Sequence, residues 1–499
     1  MLGQRKSGIL MPLFSLPSRY GVGDLGGEAY SFCNFLSASG QSLWQILPLT
    51  ITGRSGGNSP YSSISAFAGN PLNISPKALG EEGLISGETL EDTPTFETGK
   101  VDYEGAARFR TTLFRKAFLR FREKPYPEEY ERFCADNGYW LDDFALFVVL
   151  KDRFHGRQWQ KWPEGFRDRD IYTMKSATKE LRCETDYQKF LQYEFDRQWK
   201  SLHGYCMEKG IGIIGDIPIY VDCDSADVWS NRSIFQLDGG GNPTAVSGVP
   251  PDYFSSTGQR WGNPLYDWEA LARSNFLWWT RRIARWADMY DLLRMDHFRG
   301  FVAYWSIPAH DATAERGHWE KAPWKSFLDR LKYLFPNITI VAENLGTITP
   351  EVDTAMKEFG LPGMLVLQFA FDGDMNGNRH IPHNHGPNNI VYTGTHDNNT
   401  ARGWFEEEAS AEQKSILDLY SGFQTSGENV SRKLIRMAMG SCAKICITPM
   451  QDILELGGAG RINTPSSMEG NWKWMAKPDY SAGDIAGKLY GLTGLFGRL

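Results

Sequence analysis

Short apolar runs bounded by polar residues recur along the chain and predict buried strands. They span residues 7–16, 41–50, 211–222, 290–301, 337–346, 364–371, 388–398 and 444–452. Continuous apolar runs without alternation are typical of strands buried on both faces, as in a parallel sheet. Helical patterns separate several of them, for example residues 26–40, for which Gly40 is the predicted C-cap, and residues 274–289. Eight strands separated by helices predict an α/β chain folded as a (β/α)₈ barrel.

The spacing of the runs is uneven and predicts insertions in the barrel. We expect one catalytic barrel over residues 1–499, with a mostly helical insertion at 75–205 after strand 2. A second, Gly/Pro-rich and lid-like insertion is expected at 223–272 after strand 3. The segment after the eighth run is too short for a β-sandwich of ~100 residues. We therefore expect no C-terminal β-sandwich domain, and the barrel should close the protein.

Charge and cysteine usage narrow the possible partners and location. The 53 Lys and Arg against 60 Asp and Glu give a net charge of -7, without a basic block, which argues against binding to nucleic acid or a membrane surface. No apolar run of ~18 residues predicts a transmembrane helix, and no signal peptide is recognisable. The seven cysteines form no C-x-x-C pair. Reduced thiols in a cytoplasmic protein are the simplest interpretation.

Four of the predicted strands carry an acid close to their carboxyl ends, namely Asp216, Asp296, Glu343 and Asp397. In a (β/α)₈ barrel, catalytic residues come from the carboxyl ends of different strands. Four acids at equivalent positions would converge on one mouth of the barrel. Like charges so placed destabilise one another unless they are used or neutralised. The pattern therefore indicates a functional site, although a single buried acid is most often structural.

The neighbours of these acids suggest different roles for them. Arg294 lies two residues before Asp296, on the same face of a strand, and would hold it ionised as a nucleophile requires; a structural ion pair is the alternative. Glu343 follows two apolar residues, and an apolar setting would raise its pKa as a general acid requires, unless it faces solvent. His396 and Asp397 are adjacent in the sequence, so both side chains can reach one ligand only if they lie at the end of a strand. Two carboxylates with opposed roles are the machinery of glycosidic-bond cleavage.

Several segments carry a family resemblance. GIIGDIPIYVD, LLRMDHFRGF, VAENLG and GTHDN resemble the four signature segments of the α-amylase clan, in the same order. The segment 248–268 resembles the amylomaltases, the 4-alpha-glucanotransferases of glycoside hydrolase family 77. Residues 57–71, 136–147 and 461–474 do so as well. The likeness covers nearly the whole chain.

The resemblance implies a reaction and a set of site residues. Asp296 matches the nucleophile, Glu343 the acid/base and Asp397 the transition-state stabiliser. Substrate contact is implied for Tyr61, Asp216, Tyr253, Phe254, Gln259, Trp261, Arg294 and His396. The reaction would be a retaining transfer of α-1,4-glucan segments between maltodextrins or amylose, with glucose also serving as acceptor. Carboxylates suffice for this chemistry, so we expect no cofactor and no metal.

The segment 248–268 offers a physical reason for transfer to sugar rather than to water. Pro250 and Pro251 stiffen its start, and Tyr253, Phe254 and Trp261 present flat apolar faces on which an acceptor glucose can stack. The alternative is that these rings only pack the segment onto the barrel.

Other functions remain to be weighed. A hydrolase of the same clan would use the same carboxylates with water as acceptor. A non-catalytic glucan-binding barrel would not need a nucleophile and an acid together. GVGDLG at 21–26 lacks the acid about 20 residues on that a dinucleotide site requires. HIPHNH at 380–385 has zinc-like spacing, but its proline and the lack of nearby Cys or acid favour a solvated loop.

Overall fold

The computed structural model describes residues 4–52, 57–251, 255–467, 469–481 and 483–499. Its strands are β1 (Lys6–Leu10), β2 (Leu43–Gln45), β3 (Gly212–Ile217), β4 (Ala245–Val249), β5 (Gln259–Pro264), β6 (Leu292–Met295), β7 (Ala303–Pro308), β8 (His318–Lys321), β9 (Thr339–Ala342), β10 (Gly363–Val366), β11 (Asn389–Tyr392) and β12 (Ile445–Pro449).

Eight of these strands form the central barrel. They are hydrogen-bonded in the order β10-β11-β12-β1-β2-β3-β6-β9, and all neighbours run parallel. The amide of Ala342 on β9 donates to the carbonyl of Pro362, just before β10, at 2.9 Å, which nearly closes the ring. The predicted (β/α)₈ barrel is confirmed, and each of the eight predicted apolar runs overlaps one barrel strand.

The barrel strands are apolar on both faces because each face meets a different part of the core. Alternate side chains fill the interior, among them Leu10, Leu43, Ile214, Leu292, Val341, Val366, Ile390 and Ile447. Their neighbours along the strands, such as Ile9, Trp44 and Ile213, pack outward against the surrounding helices. Successive side chains of a strand point to opposite faces, which explains the continuous apolar runs.

Helices surround the barrel and fill the gaps between its strands. They are α1 (Gly27–Ala38), α2 (Pro76–Glu81), α3 (Gly87–Glu91), α4 (Tyr103–Phe121), α5 (Glu128–Arg153), α6 (Glu164–Arg167), α7 (Ile171–Glu180), α8 (Arg182–Glu208), α9 (Ala226–Ser230), α10 (Trp268–Arg273), α11 (Leu277–Ala287), α12 (Trp324–Leu334), α13 (Pro350–Phe359), α14 (Ala401–Gly403), α15 (Ala411–Ser421), α16 (Val430–Gly440), α17 (Met450–Ile453) and α18 (Ile485–Leu495). Gly40 follows α1 with φ 69°, the left-handed conformation that favours glycine after a helix.

The gap between β2 and β3 holds α2 to α8, and the gap between β3 and β6 holds α9 to α11 with β4 and β5. The boundaries 75–205 and 223–272, as units added to one barrel, stay a prediction. None of the helices in the described part of the chain is long and apolar enough to cross a membrane.

A second sheet lies outside the barrel. Its strands are antiparallel in the order β5-β4-β7-β8, so it joins the segment after β3 to the segment after β6. Residues 245–264 fall within the Gly/Pro-rich, lid-like insertion expected at 223–272, and this sheet was not predicted there. Strands such as QRWGNP on β5 and HWEK on β8 have no apolar run, because much of their surface faces solvent.

Candidate active site

A cleft of about 1510 Å³ opens at the carboxyl ends of the barrel strands. Residues from most of the predicted strand ends line it, together with two loops. The lining includes Tyr61, Gln259, Trp261, Asp296, His297, Glu343, His396, Asp397, Asn463 and Trp472. Three of the four predicted strand-end acids therefore face one cavity, and the fourth, Asp216, lies buried behind them.

One guanidinium organises the floor of the cleft. Arg294 on β6 is buried, and its Nη1 donates to both carboxylate oxygens of Asp216 at 2.7 and 2.6 Å. The same Nη1 lies 3.1 Å from Asp296 Oδ1, while Nη2 donates to Glu343 Oε2 at 2.8 Å. The contact with Asp296 is the one predicted from the spacing of two residues. A planar cation with several fixed donors can hold three carboxylates at once, which a lysine cannot.

Asp296 and Glu343 are neighbours in the cleft, and each carboxyl group affects the pKa of the other. Burial and the Glu343 carboxylate raise the pKa of Asp296 well above its usual range, although Arg294 opposes this. Arg294 lowers the pKa of Asp296, as expected, but burial and the neighbouring Glu343 outweigh it. Two neighbouring carboxyl groups do not both ionise readily, because their like charges repel.

Glu343 does not lie in the apolar surroundings expected for it. Burial alone would raise its pKa, but Arg294 and the backbone amide of His297 outweigh burial and hold the pKa at about 2. That amide donates to Glu343 Oε2 at 2.7 Å. The expectation failed because the cation comes from the neighbouring strand rather than from nearby sequence: β6 and β9 pair with Arg294 beside Val341.

His297 adopts a left-handed backbone with φ 44°, which is unusual for a non-glycine residue. The backbone amide of the same residue donates to Glu343 Oε2, so His297 serves the site through its backbone. Burial lowers the pKa of its imidazole to about 4.

The opposite wall of the cleft is built around Tyr61. Its hydroxyl donates to Asp216 Oδ2 at 2.7 Å, and its ring stacks on His396 with centroids 5.1 Å apart and an interplanar angle of 14°. Trp472 lies against both rings. Asp397 is more open to solvent; Asn463 Nδ2 donates to its Oδ1 at 2.6 Å, and His396 Nε2 is 3.4 Å from its Oδ2.

The lid side contributes Gln259 and Trp261 from β5. Trp261 is 39% exposed, its Nε1 donates to Gln259 Oε1 at 3.1 Å, and its ring meets His297 edge-on at 4.8 Å. The ring thus presents open surface to the cleft. Tyr253 and Phe254, also predicted to contact substrate, lie outside the described residues.

Three cleft residues were not predicted individually as site residues: His297, Asn463 and Trp472. Asn463 and Trp472 lie in the segment 461–474, whose likeness to the amylomaltases was the available signal. His297 contributes through its backbone amide, which no side-chain pattern in the sequence reveals.

The histidines at 380–385 are structural rather than solvated. His380 Nδ1 accepts from the Val366 amide at 3.1 Å, and His385 is buried between Ser441 Oγ and the His380 carbonyl. His383 is exposed and contacts Tyr420 and Met375. Within the described residues, no group of three His, Cys, Asp or Glu is arranged to hold a metal ion.

A barrel with a cation-bound pair of carboxylates in a long cleft defines a class, the enzymes that cleave and re-form glycosidic bonds. The chain belongs to the 4-alpha-glucanotransferase family, whose sequence profile matches residues 11–479. A 4-alpha-glucanotransferase of Synechocystis sp. is 45% identical over 504 residues, covering 100% of this chain and 99% of the relative. The corresponding chloroplastic/amyloplastic enzyme of Solanum tuberosum is 41% identical, with 99% and 87% covered.

The fold comparison agrees. The structure of amylomaltase from Streptococcus agalactiae in complex with acarbose superposes with a TM-score of 0.94 at 37% identity, covering 99% of this chain and 100% of that one. The predicted family and the predicted activity, 4-alpha-glucanotransferase rather than hydrolase, are confirmed.

Proposed function

We propose that Asp296 and Glu343 carry out the transfer, the first as nucleophile and the second as acid/base. The observation that carries this assignment is the Arg294 guanidinium, which holds both carboxylates, and Asp216 behind them, on the floor of the cleft. A structural ion pair would need one carboxylate for one cation. Three around a single buried arginine leave the site anionic, as a developing oxocarbenium ion requires.

The first half-reaction breaks the donor. An Asp296 oxygen attacks the anomeric carbon of an α-1,4-linked glucosyl unit, and the bond to the glycosidic oxygen breaks. Glu343 gives its proton to the departing oxygen. This step requires that Glu343, rather than Asp296, carries the proton. Entry of the sugar between the two carboxyl groups separates them, and the positive charge developing at the anomeric carbon favours an ionised Asp296.

The second half-reaction makes the product. Glu343, now ionised, removes the proton from the 4-hydroxyl of an acceptor glucan. That oxygen attacks the anomeric carbon, and the bond to Asp296 breaks. Two inversions restore the α configuration. Arg294 and the His297 amide stabilise ionised Glu343, the state in which it enters this step.

The remaining wall residues hold the sugar. Asp397 and His396 would accept and donate hydrogen bonds to the hydroxyls of the reacting ring, and Tyr61 would provide a flat face beside them. Trp261 and Gln259 would contact the acceptor from the opposite side, with Tyr253 and Phe254 assigned there by the family resemblance alone. Asp216 would act only through Arg294 and Tyr61.

The proposed donors and acceptors are maltodextrins and amylose, with glucose as a further acceptor. A long cleft suits a chain ligand, and the similar structure from Streptococcus agalactiae binds acarbose. We also propose a cytoplasmic location, supported by seven cysteines that are all free thiols.

Incubation with maltotriose tests the proposed residues. The wild type should give glucose and a ladder of longer maltodextrins. Asp296→Asn and Glu343→Gln should each lower the rate by at least ~10², with thermal unfolding little changed. Asp353→Asn, the same substitution at an exposed carboxylate on α13, is the control and should match the wild type. Near wild-type rates in Glu343→Gln would refute the acid/base assignment.

A further inference from the structure

A second cavity, of about 150 Å³, lies outside the barrel and shares no lining residue with the cleft. It is bounded by α5, α9 and α11, and by the segment between β2 and α2. Its floor is buried and its rim is exposed. We call it the aromatic pocket; the lining residues used here are Phe67, Tyr139, Trp140, Asp227, Trp278 and Arg281.

Five of the fifteen residues that line it are aromatic. Phe67 meets Tyr139 and Trp278 edge-on, at 5.8 and 5.9 Å, and stacks with Trp140 at 6.1 Å. Tyr139 on the rim is 39% exposed, whereas Trp278 on the floor is 7% exposed. A ligand entering the pocket therefore meets a ring on the rim first and apolar surface below it.

Polar groups with unused hydrogen-bonding capacity face the same space. Asp227 is buried, and its Oδ2 accepts from the Ala66 amide at 2.7 Å. Trp278 Nε1 lies beside that carboxyl, buried without a hydrogen bond of normal geometry. Arg281 lies over the Tyr139 ring at 4.9 Å, and no carboxylate of the described residues forms an ion pair with it. Asp227 accepts from one amide and Arg281 is exposed at the rim, so both keep hydrogen-bonding capacity for a ligand.

The combination selects a neutral ligand with one apolar face and several hydroxyls. A carboxyl and a guanidinium both line the pocket, and together they disfavour a ligand carrying a single charge. Aromatic walls stack on apolar faces, while a carboxylate accepts hydroxyl protons and an indole or guanidinium donates to hydroxyl oxygens. A pyranose ring meets all of these requirements, and pockets of this kind, apolar with few convergent polar groups, are typical of small-ligand sites.

We propose that the aromatic pocket binds one glucosyl unit, separately from the catalytic cleft. The choice of glucose among sugars rests on the proposed function, because glucose and maltodextrins are the sugars that reaction handles. The unit comes either from free glucose or from the end of a glucan chain, which share the same chemistry in the pocket.

Crystals of the Asp296→Asn variant, soaked separately with glucose and with maltotriose, test the proposal directly. We expect a pyranose in the aromatic pocket with a hydroxyl on Asp227. Occupancy by glucose alone identifies free glucose as the ligand, and occupancy by both sugars identifies a chain end. A filled cleft with an empty pocket would overturn this proposal and leave the proposed function standing. A filled pocket with an empty cleft would support it while counting against the proposed function.

Retardation on amylose-containing gels tests binding in solution, again in the Asp296→Asn background. Tyr139→Ala and Arg281→Ala should each change one of two measurements by about two- to tenfold. If a chain end is the ligand, retention by amylose without glucose weakens. If free glucose is the ligand, added glucose competes less well. Tyr333→Ala on α12, which is 77% exposed and far from the pocket lining, is the matched control. Thermal unfolding of each variant checks that it is folded. Unchanged retention and unchanged competition in both folded variants would overturn the proposal.

Discussion

At the scale of single residues, Asp397 differs from Asp216, Asp296 and Glu343 because Arg294 does not hold it. Its side chain is 44% exposed, and Asn463 holds one oxygen while His396 approaches the other. Arg461 fixes the same loop by donating to the Asp397 and Asn463 carbonyls at 3.0 and 2.8 Å. The orientation of Asp397 thus depends on a neutral amide carried by a surface loop.

Removal of that amide should misplace Asp397 without unfolding the barrel. A hydrogen bond to a charged group contributes about 1.5–3 kcal/mol, so Asn463→Ala should lower kcat/KM on maltotriose about ten- to hundredfold. Asn463→Asp should be worse, because it places like charges together. Asn388→Ala, an amide that bonds only the Gly360 carbonyl, is the control. Wild-type kinetics in Asn463→Ala would show that Asp397 needs no such support.

At the scale of elements, β5 brings the lid side of the site against the barrel. The second sheet anchors β5 through β4 and β7, so Trp261 reaches His297 from a strand rather than from a free loop. A ring held in this way can stack an acceptor sugar and exclude water from a glucosyl-enzyme at the same time. Preference for transfer would then depend on this sheet.

Trp261→Ala should therefore raise the share of hydrolysis. Loss of one stacked ring costs about 0.5–1.5 kcal/mol, which predicts about a two- to tenfold rise in reducing ends gained per glucosyl unit transferred from maltotriose. The exposed Trp319→Ala on β8 is the control in the same sheet. A ratio that stays at the wild-type value in folded Trp261→Ala would assign water exclusion to other residues, with Phe254 the next to test.

The connection between β10 and β11 carries a pH-sensitive contact. Burial lowers the pKa of His380 to about 4, from ~6.5 in an unfolded chain. The folded state therefore favours the neutral ring, whose Nδ1 accepts the Val366 amide proton. That stabilisation is complete above pH ~6.5 and is lost as the pH falls toward 4, by up to about 3 kcal/mol.

His380→Gln should reveal this pH-dependent contribution to stability, because an amide oxygen can accept the same hydrogen bond but does not titrate. The Tm of the variant should fall less than that of the wild type between about pH 7 and pH 4.5. Many carboxylates also titrate there, so the difference between the two proteins is the measurement. His155→Gln, at an exposed histidine, serves as control. Parallel Tm curves for His380→Gln and wild type would contradict the assignment.

At the scale of the whole molecule, what could be predicted depended on burial. The barrel strands were visible in the sequence because they are apolar on both faces, and their ends located Asp216, Asp296, Glu343 and Asp397. The second sheet was not, since its strands combine glycine with solvent-facing polar residues. Spacing along one strand gave the contact of Arg294 with Asp296. Its contact with Glu343 arises between β6 and β9, where no local pattern reveals it.

The same contact explains why the pKa shifts of Asp296 and Glu343 run opposite to the directions expected from sequence. A pKa depends on every charge within a few ångströms, and most of those near Asp296 and Glu343 come from other strands. Substrate binding must therefore bring the two carboxyl groups into their reactive state. The covalent intermediate on Asp296 is the central claim that remains to be observed.

Trapping that intermediate is the most direct test. Glu343→Gln should be mixed with an α-maltosyl fluoride, whose fluoride leaves without a proton, so that attack by Asp296 proceeds while removal by an acceptor lacks its base. Mass spectrometry of the digested protein should then show two glucosyl units added to the peptide that contains Asp296, and none in Asp296→Asn. An adduct on another residue, or consumption of the fluoride with no adduct and a product of inverted configuration, would contradict the account.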